Sequence, residues 1–398
     1  MARPHFITGL DIGTSEIKTL TVKRSSDKDL EVVASIRKPT IGIRRGVVIN
    51  VDEVSNVLEN INQELKSLIG RGVDSLYVNI GGSHIFCTSS HGTVAVSRAD
   101  RKISEKDIER VLEAARTFSL PSNKEILDVF PCNFIVDGEK VKEALGMEGV
   151  RLEIEALVIC GFSPYFKNLT QAILNAGFSI ENIIPSPIAS ALSCLTPRQK
   201  ELGVVLLDIG AGTTGLAVFE EGNLIHLAIL PIGSANITND IAIGLKTDVD
   251  VAERIKKEFG SCATSPKEKK EKIEIKEPES LTFTRGALTK IIEARVSEIF
   301  GEVNKELKKI EKENLLPAGV VLTGGGAKLP KMIELAKKEL RLPCKIGKPR
   351  RFPNLETDSA LSTVCGLVLE GIEAGEEGAL PGEGIGSKIK NFFKGFIP

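Results

Sequence analysis

No two of the seven cysteines form a Cys-x-x-Cys pair, which excludes a zinc ribbon or a dithiol redox motif. Cys87, Cys132, Cys160, Cys194, Cys262, Cys344 and Cys365 are scattered, mostly in apolar segments, and read as buried free thiols in a reducing compartment. The four histidines, His5, His84, His91 and His226, lie too far apart in sequence to give metal-ligand spacing. No nucleophile elbow is present. An excess of one charge is missing too: 52 Lys and Arg stand against 53 Asp and Glu, net −1, so no basic field invites nucleic acid. No apolar run approaches the ~20 residues that span a bilayer. Met1-Ala2-Arg3-Pro4-His5 leads straight into a strand without a signal-peptide core, so the expected location is cytoplasmic. The 398 residues, 42% hydrophobic and 26% charged, suit a globular protein with full cores.

What is there centres on Gly203–Pro231. Val204 to Leu207 reads as a strand buried on both faces, ending in Asp208. The turn Gly210-Ala211-Gly212-Thr213-Thr214 follows, then strands Leu216–Phe219 and Leu224–Pro231, hinged at Glu221-Gly222-Asn223. A carboxylate beside a small-residue turn with two hydroxyls suits the Mg²⁺ and phosphates of a nucleotide, although the same residues also build ordinary hairpins. The device recurs. Phe6 to Ser15 repeats strand, Asp11-Ile12-Gly13 and hydroxylic turn, with Thr14 and Ser15 in it. Strands Ile17–Val22 and Leu30–Ile36 follow at matching places, and each half then reaches a helix and a strand ending in glycines, at Gly81-Gly82 and Gly324-Gly325-Gly326. One helical stripe is Val54, Val57, Leu58, Ile61, Leu65, Leu68 and Ile69; the other is Leu288, Ile291, Ile292, Ile299, Val303, Leu307 and Ile310. The expected fold is α/β, two duplicated halves facing each other across a cleft at strand C-terminal ends.

The first core half takes residues 1–82 and 162–202, the second 203–236 and 315–372. Residues 83–161 have no counterpart in the repeat and read as an α+β insert. Its expected strands are His84–Thr88, Gly92–Ser97, Ile126–Val136 and Arg151–Cys160, with a helix capped by Ser104 and Asp107. Helices Tyr165–Ala176 and Pro187–Leu195 flank strand Ile180–Pro185, and Thr196–Leu202 reads as a polar bridge. A second insert, 237–314, carries helix Val249–Phe259, a mixed-charge run from Lys267 to Glu277 and a long helix Gly286–Asn314 with Thr284 as N-cap. Ala360, Ser362 and Gly366 would let a helix Ser359–Ile372 approach Pro187–Leu195 closely. Residues 373–384 are a Gly, Glu and Ala-rich tether by composition. In 385–398, Ile385, Ile389, Phe392, Phe393 and Phe396 form one stripe flanked by Lys388, Lys390 and Lys394, an amphipathic helix suited to anionic membrane lipids.

These features resemble the actin, hexokinase and chaperone-ATPase superfamily, and within it the FtsA family of bacterial cell-division proteins, over nearly the whole chain. The residues carrying the likeness are Gly9 to Ser15, Phe134 to Gly138, Gly146 to Glu153, Ile237 to Ala242 and Gly386–Pro398. The resemblance implies an actin-like (ribonuclease H-like) fold binding ATP and Mg²⁺, with Mg²⁺ held through Asp11 and Asp208 and adenine against Gly324, Gly325 and Gly326. It implies a ribose contact from a Lys and a Glu on the long helix, for which Lys290 and Glu293 stand in the right stretch. As residues, both also fit the solvated face of an amphipathic helix. The implied partners are FtsZ at the second insert, other copies of the chain at the first (giving filaments), membrane lipids and other division proteins. The implied place is the inner face of the membrane at the division site. Rival implications are a pilus-assembly homologue or a small-molecule kinase of the same superfamily. Two departures bear on chemistry: Ser186 stands where chaperone-type relatives carry Glu, and Gly215 where the phosphate turn usually ends in Asp. Losing a water-orienting group typically costs ~10²–10⁴-fold, so a nucleotide-binding switch with slow hydrolysis is expected.

Overall fold

In a computed structural model, the described residues are 5–24, 30–73, 75–275, 281–352 and 355–376. The first half opens with antiparallel strands β1 (His5–Ile12), β2 (Glu16–Arg24) and β3 (Leu30–Pro39). A small ribbon follows, β4 (Ile43–Arg44) and β5 (Val47–Val48), then helix α1 (Val51–Ile69) and β6 (Ser75–Ile80). Asn50 caps α1 by accepting from the Glu53 N–H, and Gly70 ends it in the left-handed region. Val54, Leu58, Ile61 and Leu65 of its stripe are fully buried, whereas Leu68 is exposed.

The first insert comprises β7 (Phe86–Ala95), α2 (Glu105–Arg116), β8 (Lys124–Val136), β9 (Glu139–Val141) and β10 (Arg151–Phe162). Where the sequence suggests two strands parted near Gly92, there is one. The glycine is needed because α2 crosses the strand there: a Cβ on Gly92 would lie 2.3 Å from the Val111 carbonyl oxygen. Asp107 ties the helix to the sheet. It accepts from the N–H and hydroxyl of both Ser97 and Ser104, and its side chain is fully buried. Burial alone would push its carboxyl up; the bonds from Ser104 and Ser97 outweigh that and bring it down to about 2. A depressed folded-state pKa stabilises above the unfolded value, and the ~2 kcal/mol involved is lost as pH falls from about 4 to 2. Asp107→Asn should therefore cost ~3 kcal/mol at pH 7 by orphaning buried donors. It should also flatten stability below pH 4; a denaturant midpoint matching wild type would refute this role.

The chain returns to the core through α3 (Ser163–Asn175), β11 (Ser179–Pro185), α4 (Ser186–Cys194) and α5 (Pro197–Leu202). The expected polar bridge is thus a helix, started by a Thr196–Gln199 capping box with Pro197 at its first position. The second half repeats the first: β12 (Val204–Ile209), β13 (Thr214–Glu220), β14 (Asn223–Leu230), then α6 (Ser234–Leu245) and α7 (Val249–Phe259). A hairpin, β15 (Lys272–Ile275) and β16 (Leu281–Thr284), leads into α8 (Arg285–Lys309). Thr284 caps α8 as expected, but the helix ends at Lys309, five residues early, because Glu311 and Asn314 turn left-handed. The chain closes with β17 (Val320–Thr323), α9 (Met332–Leu340), β18 (Cys344–Ile346) and α10 (Ser362–Glu376). α10 thus runs four residues into the stretch expected as tether. The rest of that tether and the expected helix 385–398 lie outside the described residues.

Among the described residues, one sheet has the order β11-β6-β1-β2-β3 and the other contains β18-β17-β12-β13-β14, the same arrangement. The insert continues the second sheet as β7-β10-β8-β9, joined through the bridge between Phe86 and Ala228. α4 and α10 cross between the halves so tightly that a Cβ on Gly366 would lie 1.7 Å from the Ala189 carbonyl oxygen.

Candidate functional site

β1 and β12 each deliver a carboxylate and then fold into the same turn. Gly13 N–H donates to the Glu16 carbonyl at 3.1 Å, and Gly210 N–H to that of Thr213 at 2.9 Å. The turns meet tip to tip: a Cβ on Gly212 would lie 2.7 Å from Thr14 Oγ1. In the first turn Thr14 Oγ1 accepts from Gly46 N–H, and Ser15 is exposed. In the second, the Gly210 and Ala211 carbonyls accept the Ser234 and Ala235 N–H groups that open α6. Thr214 is buried and its hydroxyl donates to the Ile232 carbonyl, so it braces the turn, while Thr213 remains partly exposed.

Asp11 is buried, with Oδ1 accepting from Asn79 Nδ2 at 2.8 Å and Oδ2 from Lys18 Nζ at 3.1 Å. Burial pulls the Lys18 ammonium down, but the facing carboxylate outweighs it and holds the pKa above the ordinary lysine value. Asp208 differs. Its Oδ2 accepts from Ser190 Oγ of α4 at 2.6 Å and Thr363 Oγ1 of α10 at 3.0 Å, while Oδ1 lies against Gly324. Burial raises its carboxyl; the Ser190 bond opposes that, and the Asp11 charge adds to it. Two carboxylates that repel each other at the end of two buried strands call for a cation. Among the described residues no three His, Cys, Asp or Glu groups form a metal cluster. Mg²⁺ commonly binds through one or two carboxylates and completes its shell from phosphate and water, so Asp11 and Asp208 are the residues that could hold it.

Gly324 takes φ 84° against Ile209, and a Cβ on Gly325 would meet nothing within 4 Å, leaving an open face beside Asp208. Gly326 packs on Ile209. Asp358 braces this loop from outside, pairing with Arg37 of β3 and with Lys328, two residues past Gly326. Lys290 is exposed on α8, and Glu293 accepts from Lys338 of α9 at 3.2 Å. The membrane-facing expectations at Lys388, Ile389, Lys390, Phe392, Phe393, Lys394 and Phe396 lie outside the described residues.

Asn79, Lys18, Ser190 and Thr363 join the site without any sequence motif to announce them. Lys18 stands opposite Asp11 in the β1–β2 register, and Asn79 is a polar residue in the apolar run of β6. Both departures from the superfamily pattern have structural partners. Ser186 Oγ accepts from Asn79 Nδ2 and donates to the Ile80 carbonyl, so α4 reaches both carboxylates, through Ser186 and Ser190. Gly215 lies under α4, where a Cβ would sit 2.6 Å from Pro187 Cγ. Gly215→Asp should thus lower the melting temperature without speeding phosphate release, since it wedges α4 off the sheet. A stable variant with accelerated phosphate release would overturn that packing argument.

The family model described as "Cell division protein FtsA" matches residues 205–366, and that described as "SHS2 domain inserted in FTSA" matches residues 82–160. A cell division protein FtsA of Pseudomonas aeruginosa is 35% identical over 381 residues, covering 94% of this chain and 90% of that protein. One of Bacillus subtilis is 36% identical over 353 residues, covering 88% and 80%. Among solved structures, the PilM-PilN type IV pilus biogenesis complex matches with TM-score 0.66 at 19% identity, covering 92% of this chain and 98% of that one. MreB 5 of Spiroplasma citri bound to AMPPNP matches with TM-score 0.58 at 15% identity, covering 96% and 100%. At such identities the structural likeness speaks for the fold alone, which is the expected actin-like one.

Proposed function

The chain belongs to the FtsA family of cell division proteins, and from that premise we propose that it is an ATP-binding, actin-like adaptor that tethers FtsZ to the cytoplasmic membrane. The observation that carries the nucleotide part is the pair of matching turns that meet between the two halves, with Asp11 and Asp208 near enough for their charges to interact. Mg²⁺ arriving with ATP would supply positive charge between these carboxylates and the phosphates. Asp11, Asp208 and the turn at Gly13, Thr14, Ser15, Gly210, Ala211, Gly212 and Thr213 would hold it, with Gly324 to Gly326 against the base and Lys290 and Glu293 towards the ribose. Ser186 and Gly215 provide no water-orienting carboxylate, so hydrolysis is slow or negligible and the nucleotide works as a state marker.

Residues 83–161 would carry self-association into filaments, and 237–314 the FtsZ contact. Other division proteins would join the assembly later. The stripe of Ile389, Phe392, Phe393 and Phe396 with its lysines would hold the chain reversibly on anionic lipid, at ~1 kcal/mol per lysine, strengthened by avidity in a filament. Pilus assembly and small-molecule phosphorylation have only the shared fold in their favour. Vesicle sedimentation tests the whole reading: FtsZ should pellet with anionic vesicles only when this protein is added, and Phe392→Glu with Phe393→Glu should abolish that. FtsZ left in the supernatant alongside vesicle-bound wild type would sink the tether; pelleting by the double variant would sink the membrane helix.

A further inference from the structure

The β4–β5 ribbon lies over the junction of the two turns. Its two tip residues, Arg45 and Gly46, have φ of 49° and 74°, the signs of a type I′ hairpin turn. Such a turn favours Asn, Asp or Gly at its first position, because L side chains resist the left-handed region. The tip is wedged among cleft elements. Gly46 N–H donates to Thr14 Oγ1 at 2.9 Å, a Cβ on Gly46 would lie 2.9 Å from Gly82 N, and a Cβ on Gly212 would lie 3.1 Å from Arg45 Cα. The Arg45 backbone therefore touches the point where the two turns meet.

The side chain does nothing for the fold that accounts for an arginine there. Arg45 is exposed and makes no hydrogen bond or ion pair with another described residue. The comparison with a second X-Gly turn is direct: Asp137, at φ 49° before Gly138, uses its carboxylate to bind the N–H groups of Val150 and Arg151. The charge around the junction also leaves a gap. Lys18 is spent on Asp11, Asp208 has only the hydroxyls of Ser190 and Thr363, and among the described residues no second cation bonds either acid. A polyphosphate seated between the turns needs further positive charge, and a guanidinium, with its planar fork of donors, binds phosphate oxygens in pairs.

We propose that Arg45 recognises the terminal phosphate of the bound nucleotide, so that the β4–β5 ribbon distinguishes a nucleoside triphosphate from a diphosphate. This rests on the nucleotide reading of the cleft and adds a residue that the turn motifs do not contain.

Calorimetric titration of the full chain with ATP, ADP and adenosine, each with Mg²⁺, tests it. Arg45→Ala should lower ATP affinity at least tenfold, ADP affinity by less than threefold and adenosine affinity not at all. Arg45→Lys should recover part of the ATP loss, and Arg44→Ala none of it should show. Arg45→Gly should weaken ATP binding as much as alanine while melting, without nucleotide, no lower than wild type, because glycine fits the turn better. ATP affinity within twofold of wild type in both Arg45→Ala and Arg45→Gly would overturn the assignment. So would an equal loss for all three ligands, or an equal effect of Arg44→Ala. A wild type that takes up none of the three would instead refute the nucleotide reading, a distinguishable result.

Discussion

Gly366→Ala should cost this protein at least ~3 kcal/mol of stability, the upper end of what one added methyl usually costs in a packed interior. The reason is geometric. A Cβ there would stand 1.7 Å from the Ala189 carbonyl oxygen and 2.5 Å from its carbon, both backbone atoms of α4 that no rotamer change can move. α4 and α10 would have to separate, and their shared polar seam would open with them. That seam includes the bond between Ser190 Oγ and Thr363 Oγ1 at 2.9 Å and that from Ser193 Oγ to the Ser362 carbonyl at 2.7 Å. Thermal unfolding followed by circular dichroism should show a melting temperature lower by several degrees, since each kcal/mol moves it by ~2–4 °C in larger domains. A melting curve superimposable on wild type would mean that the helices do not cross this closely in solution.

The fold was largely legible in the residues because the central strands of its two core sheets are buried on both faces and print as apolar runs. Val204 to Leu207 and Val320 to Leu322 are examples, each run stopping at its Asp or at its glycines. The duplicated Asp-Ile-Gly turn then pointed to the candidate site, where the structure brings the two turns together. What stayed hidden is what comes from elsewhere in the chain. Asn79 reaches Asp11 across 68 residues, and Thr363 reaches Asp208 across 155. No local spacing announces either contact. Gly92 misled for a related reason: a glycine inside a strand signals a break or a close approach, and only the position of α2 decides between them. The helix α5 was missed although its signal is local, a Thr-Pro start with Gln three residues on.

Asp208→Ala should lower the affinity for Mg²⁺·ATP at least a hundredfold while leaving affinity for Mg²⁺-free adenosine within a few-fold. Two effects combine in that figure. The substitution removes one of the two carboxylates proposed to hold the cation, and charge-assisted contacts to a bound cation are among the strongest single interactions a site makes. It also leaves the hydroxyls of Ser190 and Thr363 without their shared acceptor, loosening the two helices that join the halves. Thr363→Val, which keeps the shape and loses one donor, should reproduce a smaller part of the loss, and Thr363→Ser should restore it. Equal affinity of Asp208→Ala and wild type for Mg²⁺·ATP would remove Asp208 from the site.

The central claim is that the turns at Asp11 and Asp208 form one nucleotide site between the two halves. A crystal structure of the full chain grown with Mg²⁺ and AMPPNP tests it most directly. The account predicts one nucleotide per chain, its phosphates between Gly13–Ser15 and Gly210–Thr213, one Mg²⁺ linked to Asp11 or Asp208 directly or through water, and the base beside Gly325. Nucleotide bound at any other place, or turns closed tip to tip with no ligand at saturating concentration, would contradict it.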